Sequence, residues 1–185
     1  MHPFAQAINF SYFSRKLIME NNTIILSHQQ IEQKLERLAW QIYETHSHQQ
    51  ELLLIGILDK GAVIANLLAQ KLRAISKLQV HVNTLELNKA EAMPGNAQLT
   101  SPTHSDIANI VLIDDVLNSG RTMLMALQPL LALNPASITT VVLANRSHRL
   151  FPVSADIVGI TLSTTLKEHI HFMVAENGEM SVWLD

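Results

Sequence analysis

The sequence predicts an α/β domain on a central, mostly parallel sheet flanked by helices, and three observations predict it. Ile110-Val111-Leu112-Ile113 is an apolar run, mostly β-branched, suited to a strand buried on both faces of a parallel sheet. A polar loop and the apolar stretch 123–133 follow, giving a strand, a turn and a helix. The same order occurs earlier, with a strand at 52–57 and a helix at about 62–73.

The junction at 114–122 is the most informative part of the chain. Asp114 and Asp115 end the buried strand, where open α/β sheets place their ligands. Asn118, Ser119, Gly120, Arg121 and Thr122 then lead into the predicted helix. Free N–H groups, two hydroxyls and the positive end of the helix dipole converge there, which suits a phosphate monoester. Gly120 lets the backbone approach an anion with no Cβ in the way. A solvated turn would explain Ser-Gly-Arg-Thr alone, but the paired acids directly after the strand make the combination specific. With no second glycine and no Gly-Lys pair, this is not a Walker A loop.

Taken in order, residues 1–22 form an N-terminal extension ahead of one domain at 23–185. Phe4, Phe10, Tyr12 and Phe13 make the extension aromatic, yet it lacks the continuous apolar core of a signal peptide. Ser27 and Gln30 have capping-box spacing, and Ile31, Leu35, Leu38 and Ile42 follow on one helical face. After the strand at 52–57, Asp59, Lys60 and Gly61 are expected in a loop whose glycine lets an anion come close. Lys60 alone would suit an ordinary surface; beside a phosphate loop it points to a pyrophosphate contact.

Residues 78–87 predict another strand, with Val80, Val82 and Thr84 on one side. From 88 to 106 the apolar pattern gives way to Pro94, Gly95, Pro102 and small polar residues, with Lys89 at the base. A connection this long inside a compact domain is a functional lid or a disordered segment. A strand at 138–144, a polar loop at 145–154 holding Arg146, His148 and Arg149, and a short strand at 157–160 come next. Asn177-Gly178, between 169–175 and 180–184, signals a C-terminal β-hairpin.

Composition narrows the function classes. A chain of 185 residues suits one domain with a substantial core. A net charge of −3 gives no general reason to expect nucleic-acid binding. The absence of cysteine excludes disulfides and thiolate chemistry and fits a reducing cytoplasm. No apolar run approaches the roughly 20 residues of a spanning helix, so no membrane partner is expected. His46 with His48, and His169 with His171, lack a third ligand at a plausible spacing and are read as surface histidines.

With these pieces placed, the chain from about Ile24 onward resembles the type I phosphoribosyltransferases. Among them it is most similar to the family of the pyrimidine-operon attenuation regulator, which is also a uracil phosphoribosyltransferase. The resemblance rests on Ile25-Leu26 with its helix, Ile55-Gly56-Ile57 through Gly61, and Ile113-Asp114-Asp115-Val116-Leu117 with Gly120-Arg121-Thr122. It rests most on Asn145-Arg146-Ser147-His148-Arg149, followed by Pro152-Val153 and Ala155-Asp156. That segment resembles the family's Asp-Arg-Gly-His-Arg, which other phosphoribosyltransferases lack. There are departures. Asn145 and Ser147 replace the family's Asp and Gly, Ile160 a lysine, and Asn118 a Phe. Lys60 and Lys89 stand where arginines are usual, which keeps charge but loses bidentate phosphate contacts.

The resemblance implies the type I phosphoribosyltransferase fold with a flexible loop, and transfer of phosphoribose from phosphoribosyl pyrophosphate to a base, uracil first. It implies catalytic roles for Asp114, Asp115 and Lys89, with Mg²⁺ held by the two aspartates partly through water and ribose hydroxyls. Residues 118–122 would bind the phosphate; Asp59, Lys60, Gly61 and Arg146 the pyrophosphate; Val158 and Gly159 the base. It also implies a homodimer or higher homo-oligomer, and a cis or cis-capable Asp59-Lys60 peptide. Two alternatives stay open: a nucleotide-sensing regulator of the RNA-attenuation type with little turnover, and a transferase for a purine base. Lys71, Arg73, Lys77 and Arg149 are too few to demand an RNA-binding face.

Overall fold

The structure, a computed structural model, describes residues 23–87, 98–100, 108–163 and 168–185. The N-terminal extension, Lys89 and most of the 88–106 connection lie outside the described residues.

Helix α1 (His28–Thr45) starts as its sequence dictates. Ser27 and Gln30 form the reciprocal capping box, and Ile31, Leu35, Leu38 and Ile42 are fully buried along one face. The chain then alternates strand and helix: β2 (Glu51–Ile57), α2 (Leu58–Ile75), β3 (Gln79–Glu86), the short β4 (Gln98–Leu99), β5 (Asn109–Leu117), α3 (Arg121–Leu131), β6 (Ser137–Arg146) and β7 (Ile157–Leu162). These strands make one sheet in the order β4-β3-β2-β5-β6-β7, parallel except for β4. The strand β1 (Thr23–Leu26) leaves this sheet to pair with β9 (Met180–Leu184), which pairs in turn with β8 (Ile170–Val174).

Burial of the central strands on both faces follows from their composition. Leu52, Leu54, Val111 and Ile113 point toward α1 and α2 and join the inner face of the small sheet, where Phe172 and Val182 are fully buried. Leu53, Ile55, Ile110 and Leu112 point the other way, toward Met123, Ala126 and Leu130 of α3. Each strand thus feeds two cores, which is why these runs are apolar at every position. The predicted C-terminal hairpin is present, with Gly178 at φ 83° and the Asn177 side chain accepting the Glu179 N–H.

Several expectations need correction. The second helix begins at Leu58, not near 62, so Asp59 and Lys60 occupy its first turn and no loop separates it from β2. The described peptide bonds are all trans, and the backbone departs from the ordinary one residue earlier, at Leu58 with φ 51°. A left-handed leucine costs about 1–2 kcal/mol, and here it turns the chain from strand to helix in a single residue. The strand β6 runs on through Asn145 and Arg146, which were expected in a loop, because both pair in register with β7. His46 is buried rather than on the surface: it ends α1 over the sheet, with Nε2 3.1 Å from the Thr139 hydroxyl.

Two glycines explain how β2 and α2 join so tightly. A Cβ on Gly56 would collide with the Ala62 backbone, and one on Gly61 would lie 2.7 Å from the Ile113 carbonyl. Gly61 therefore serves the packing of α2 on β5. Gly61→Ala should destabilise the fold by about 1–3 kcal/mol, since backbone lies on both sides of the overlap; a denaturant midpoint equal to wild type would refute this contact.

Burial pushes the His46 imidazole below its ordinary value. Below about pH 6.5 the unfolded chain takes a proton there that the folded chain resists, so the unfolded state binds more protons. Stability should therefore fall as pH drops from about 6.5 toward the lower folded value, then level off beneath it. His46→Gln should flatten that part of the curve. Denaturation midpoints followed from about pH 7 to 5 check it, and an unchanged slope would count against a His46 contribution.

Candidate active site

One cavity of about 570 Å³ opens at the C-terminal ends of the parallel strands, as expected for an open α/β sheet. Three segments meet there: the first turn of α2 with Leu58, Asp59 and Lys60, the end of β5 with Asp114 and Asp115, and the turn Asn118 to Gly120 with Thr122 of α3. Neither α2 nor α3 has a side-chain cap at its N-terminus. Their first-turn N–H groups and positive dipole ends are thus available to an anion.

The two aspartates differ. Asp114 is buried, and its Oδ1 accepts the Asp115 N–H at 2.9 Å. Asp115 is more open, with Lys60 Nζ 3.9 Å from its Oδ2 and the lysine side chain half exposed. An ion pair that long and that wet contributes little to stability, so Lys60 can turn to a ligand at small cost.

The phosphate loop is held from outside. Gly120 has φ 86°, and a Cβ there would stand 2.7 Å from Val153 Cγ1. The Ser119 carbonyl accepts N–H groups from Leu150 (3.1 Å) and Phe151 (3.0 Å), while its hydroxyl accepts the Arg121 N–H at 3.3 Å. Asn118 lines the cavity, but its Oδ1 is buried with no hydrogen-bond partner.

Of the predicted site residues, Asp59, Lys60, Asp114, Asp115, Asn118, Ser119, Gly120 and Thr122 come together on this cavity. Gly61, Arg121, Arg146, Val158 and Gly159 do not line it. Arg146 is buried at the end of β6, and Arg121 is exposed in the first turn of α3. The carbonyls of Val158 and Gly159 accept from Arg37 of α1, at 3.1 and 2.6 Å. Lys89 lies outside the described residues.

The sequence reading missed the wall supplied by the small sheet, where Ile170 and His171 of β8 face the same cavity. The alternation that put His169 and His171 on one face was visible, but nothing local says that the strand folds over the acids. His171 Nε2 lies 3.2 Å from Asp185 Oδ2. Burial alone would push the Asp185 carboxyl up; the His171 charge and the His169 amide outweigh it and hold the carboxyl below its usual range.

The aspartate pair suits Mg²⁺, which takes one or two carboxylates and completes its shell with waters and substrate phosphates. Among the described residues no group of three or more His, Asp or Glu converges on one point, so the protein alone offers no complete metal cage. None of the described helices is long and apolar enough to cross a membrane.

Comparison with known proteins agrees with this geometry. Residues 21–177 match the phosphoribosyl transferase domain family. The chain is 32% identical over 161 residues to the bifunctional protein PyrR of Pediococcus pentosaceus, covering 81% of this chain and 90% of that protein. It is 35% identical over 154 residues to the bifunctional protein PyrR of Nostoc punctiforme, covering 78% and 85%. Among solved structures, a hypoxanthine-guanine phosphoribosyltransferase from Bacillus anthracis superposes with a TM-score of 0.63 at 20% identity, over 76% of this chain and 82% of that one. The hypoxanthine phosphoribosyltransferase of Trypanosoma cruzi gives 0.66 at 19% identity, over 77% and 78%. The chain has the type I phosphoribosyltransferase fold and belongs to the phosphoribosyltransferase family, among the relatives of the bifunctional protein PyrR.

Proposed function

We propose that the protein is a cytoplasmic, homo-oligomeric uracil phosphoribosyltransferase that converts phosphoribosyl pyrophosphate and uracil into UMP and pyrophosphate. The observation that carries this reading is the meeting of two uncapped helix N-termini and a carboxylate pair in one cavity. The helix ends suit the two anionic groups of a doubly phosphorylated sugar. The carboxylates suit the hydroxyls and the positive charge between them.

In the reaction the anomeric C–O bond breaks, pyrophosphate leaves with its electron pair, and a base nitrogen bonds to the ribose carbon as its proton is lost. The ribose gains oxocarbenium character in the transition state, as in other glycosyl chemistry. Asp114 and Asp115 hold the ribose hydroxyls and support this positive ring. Ser119, Gly120, Arg121 and Thr122 hold the 5′-phosphate at the start of α3. Asp59, Lys60 and the first amides of α2 face the leaving pyrophosphate, where Lys60 receives part of its charge. Mg²⁺, held by Asp114 and Asp115 together with ribose and pyrophosphate oxygens, neutralises leaving-group charge when bound.

The test is a base-by-base transfer assay with phosphoribosyl pyrophosphate and Mg²⁺, running uracil beside hypoxanthine and guanine. Uracil-dependent release of pyrophosphate with formation of UMP is expected. Transfer to a purine in preference to uracil would overturn the base assignment. No transfer to any base, with nucleotide binding intact, would favour a sensor over an enzyme.

A further inference from the structure

The wall built by the antiparallel sheet has no part in the chemistry described so far. The rest of the cavity has charge and donors for a sugar phosphate and its diphosphate. This wall offers buried Ile170 beside a single polar group, His171. The imidazole is half exposed, and its orientation is fixed from outside by Asp185, whose Oδ2 lies 3.2 Å from Nε2. Asp185 is itself anchored. Its backbone exchanges hydrogen bonds with His169 at 3.1 and 3.2 Å, and its Oδ1 accepts the His169 N–H at 3.1 Å.

Hydrogen-bond chemistry then says what this wall can recognise. A carboxylate only accepts, so the imidazole nitrogen facing Asp185 carries the proton. In the neutral ring the other nitrogen, Nδ1, is left as an acceptor. Phosphate oxygens at neutral pH are acceptors too and have nothing to give it. The N–H beside a carbonyl in a nucleobase ring does. Ile170, with Leu87 and Met123 in the same lining, adds the apolar surface that a flat ring needs.

We propose that His171, oriented by Asp185, is a specificity-determining residue that accepts a hydrogen bond from a ring N–H of the nucleobase. The inference rests on the phosphoribosyltransferase reading and deepens it by assigning the base end of the cavity to the small sheet. In this arrangement the parallel sheet binds the phosphoribosyl part and the antiparallel sheet selects what is attached to it.

Titration calorimetry with two ligands tests it: UMP, which has the base, and ribose 5-phosphate, which lacks it. Wild type should bind UMP more tightly than ribose 5-phosphate. His171→Ala should weaken UMP by about tenfold, the scale of one hydrogen bond with its neighbouring contacts, and leave ribose 5-phosphate unchanged. His171→Gln, which keeps an acceptor oxygen, should recover part of the UMP affinity. Unchanged UMP affinity in His171→Ala would overturn the proposal, as would equal weakening of both ligands, which would mark a role in the fold or at the phosphate. A wild-type protein that binds neither ligand would instead overturn the phosphoribosyltransferase reading, and this inference with it.

Discussion

The site depends on how closely α2 approaches the end of β5. Gly61 rests against the Ile113 carbonyl, with no room for even a methyl group. That contact brings the N-terminus of α2 to the two aspartates that follow Ile113, and Leu58 accepts a left-handed conformation to make the junction. The N-terminus of α3 reaches the same place through the short turn after β5. Two positive helix ends and one lysine therefore face two carboxylates. Such a mixture would suit a simple anion poorly, because the acids would repel it. It suits a ligand with anionic ends and a centre that becomes positive, and it suits a divalent cation between them.

The phosphate loop is shaped less by its own residues than by the segment after β6. Two N–H groups from Leu150 and Phe151 converge on the Ser119 carbonyl, and Val153 closes on Gly120. Arg149 donates to Asn145 at 3.2 Å, tying this segment to the end of β6. Farther along, Asp156 accepts both the N–H and the hydroxyl of Thr140, which fastens the approach to β7. The stretch that most sets this chain apart within its fold is, in this structure, the outer support of the anion loop. Its departures at Asn145 and Ser147 leave that support standing, because the contacts to Ser119 come from backbone amides.

Much of this was legible because the decisive patterns are local. Buried strands show as apolar runs, the start of α1 as a serine followed three residues later by glutamine, and the ligand end of β5 as two acids after a β-branched run. What escaped notice depends on distant partners. Gly61 looked like a loop glycine because the Ile113 carbonyl it packs against lies some fifty residues away in sequence. His46 looked like a surface residue because Thr139, which receives it, belongs to another strand. The Val158 and Gly159 carbonyls gave no sign of meeting Arg37, and His171 gave none of facing the cavity. In each case the periodicity was right and the tertiary neighbour was missing.

The central claim is that this cavity binds a doubly phosphorylated sugar through two helix N-termini. Titration of phosphoribosyl pyrophosphate in the presence of Mg²⁺, comparing wild type with Thr122→Ala, tests it most directly. The account predicts one ligand per chain, with the variant weaker by about 1 kcal/mol or more, the scale of a lost hydrogen bond to a charged group. Equal affinity in the two proteins, or no binding by wild type, would contradict it.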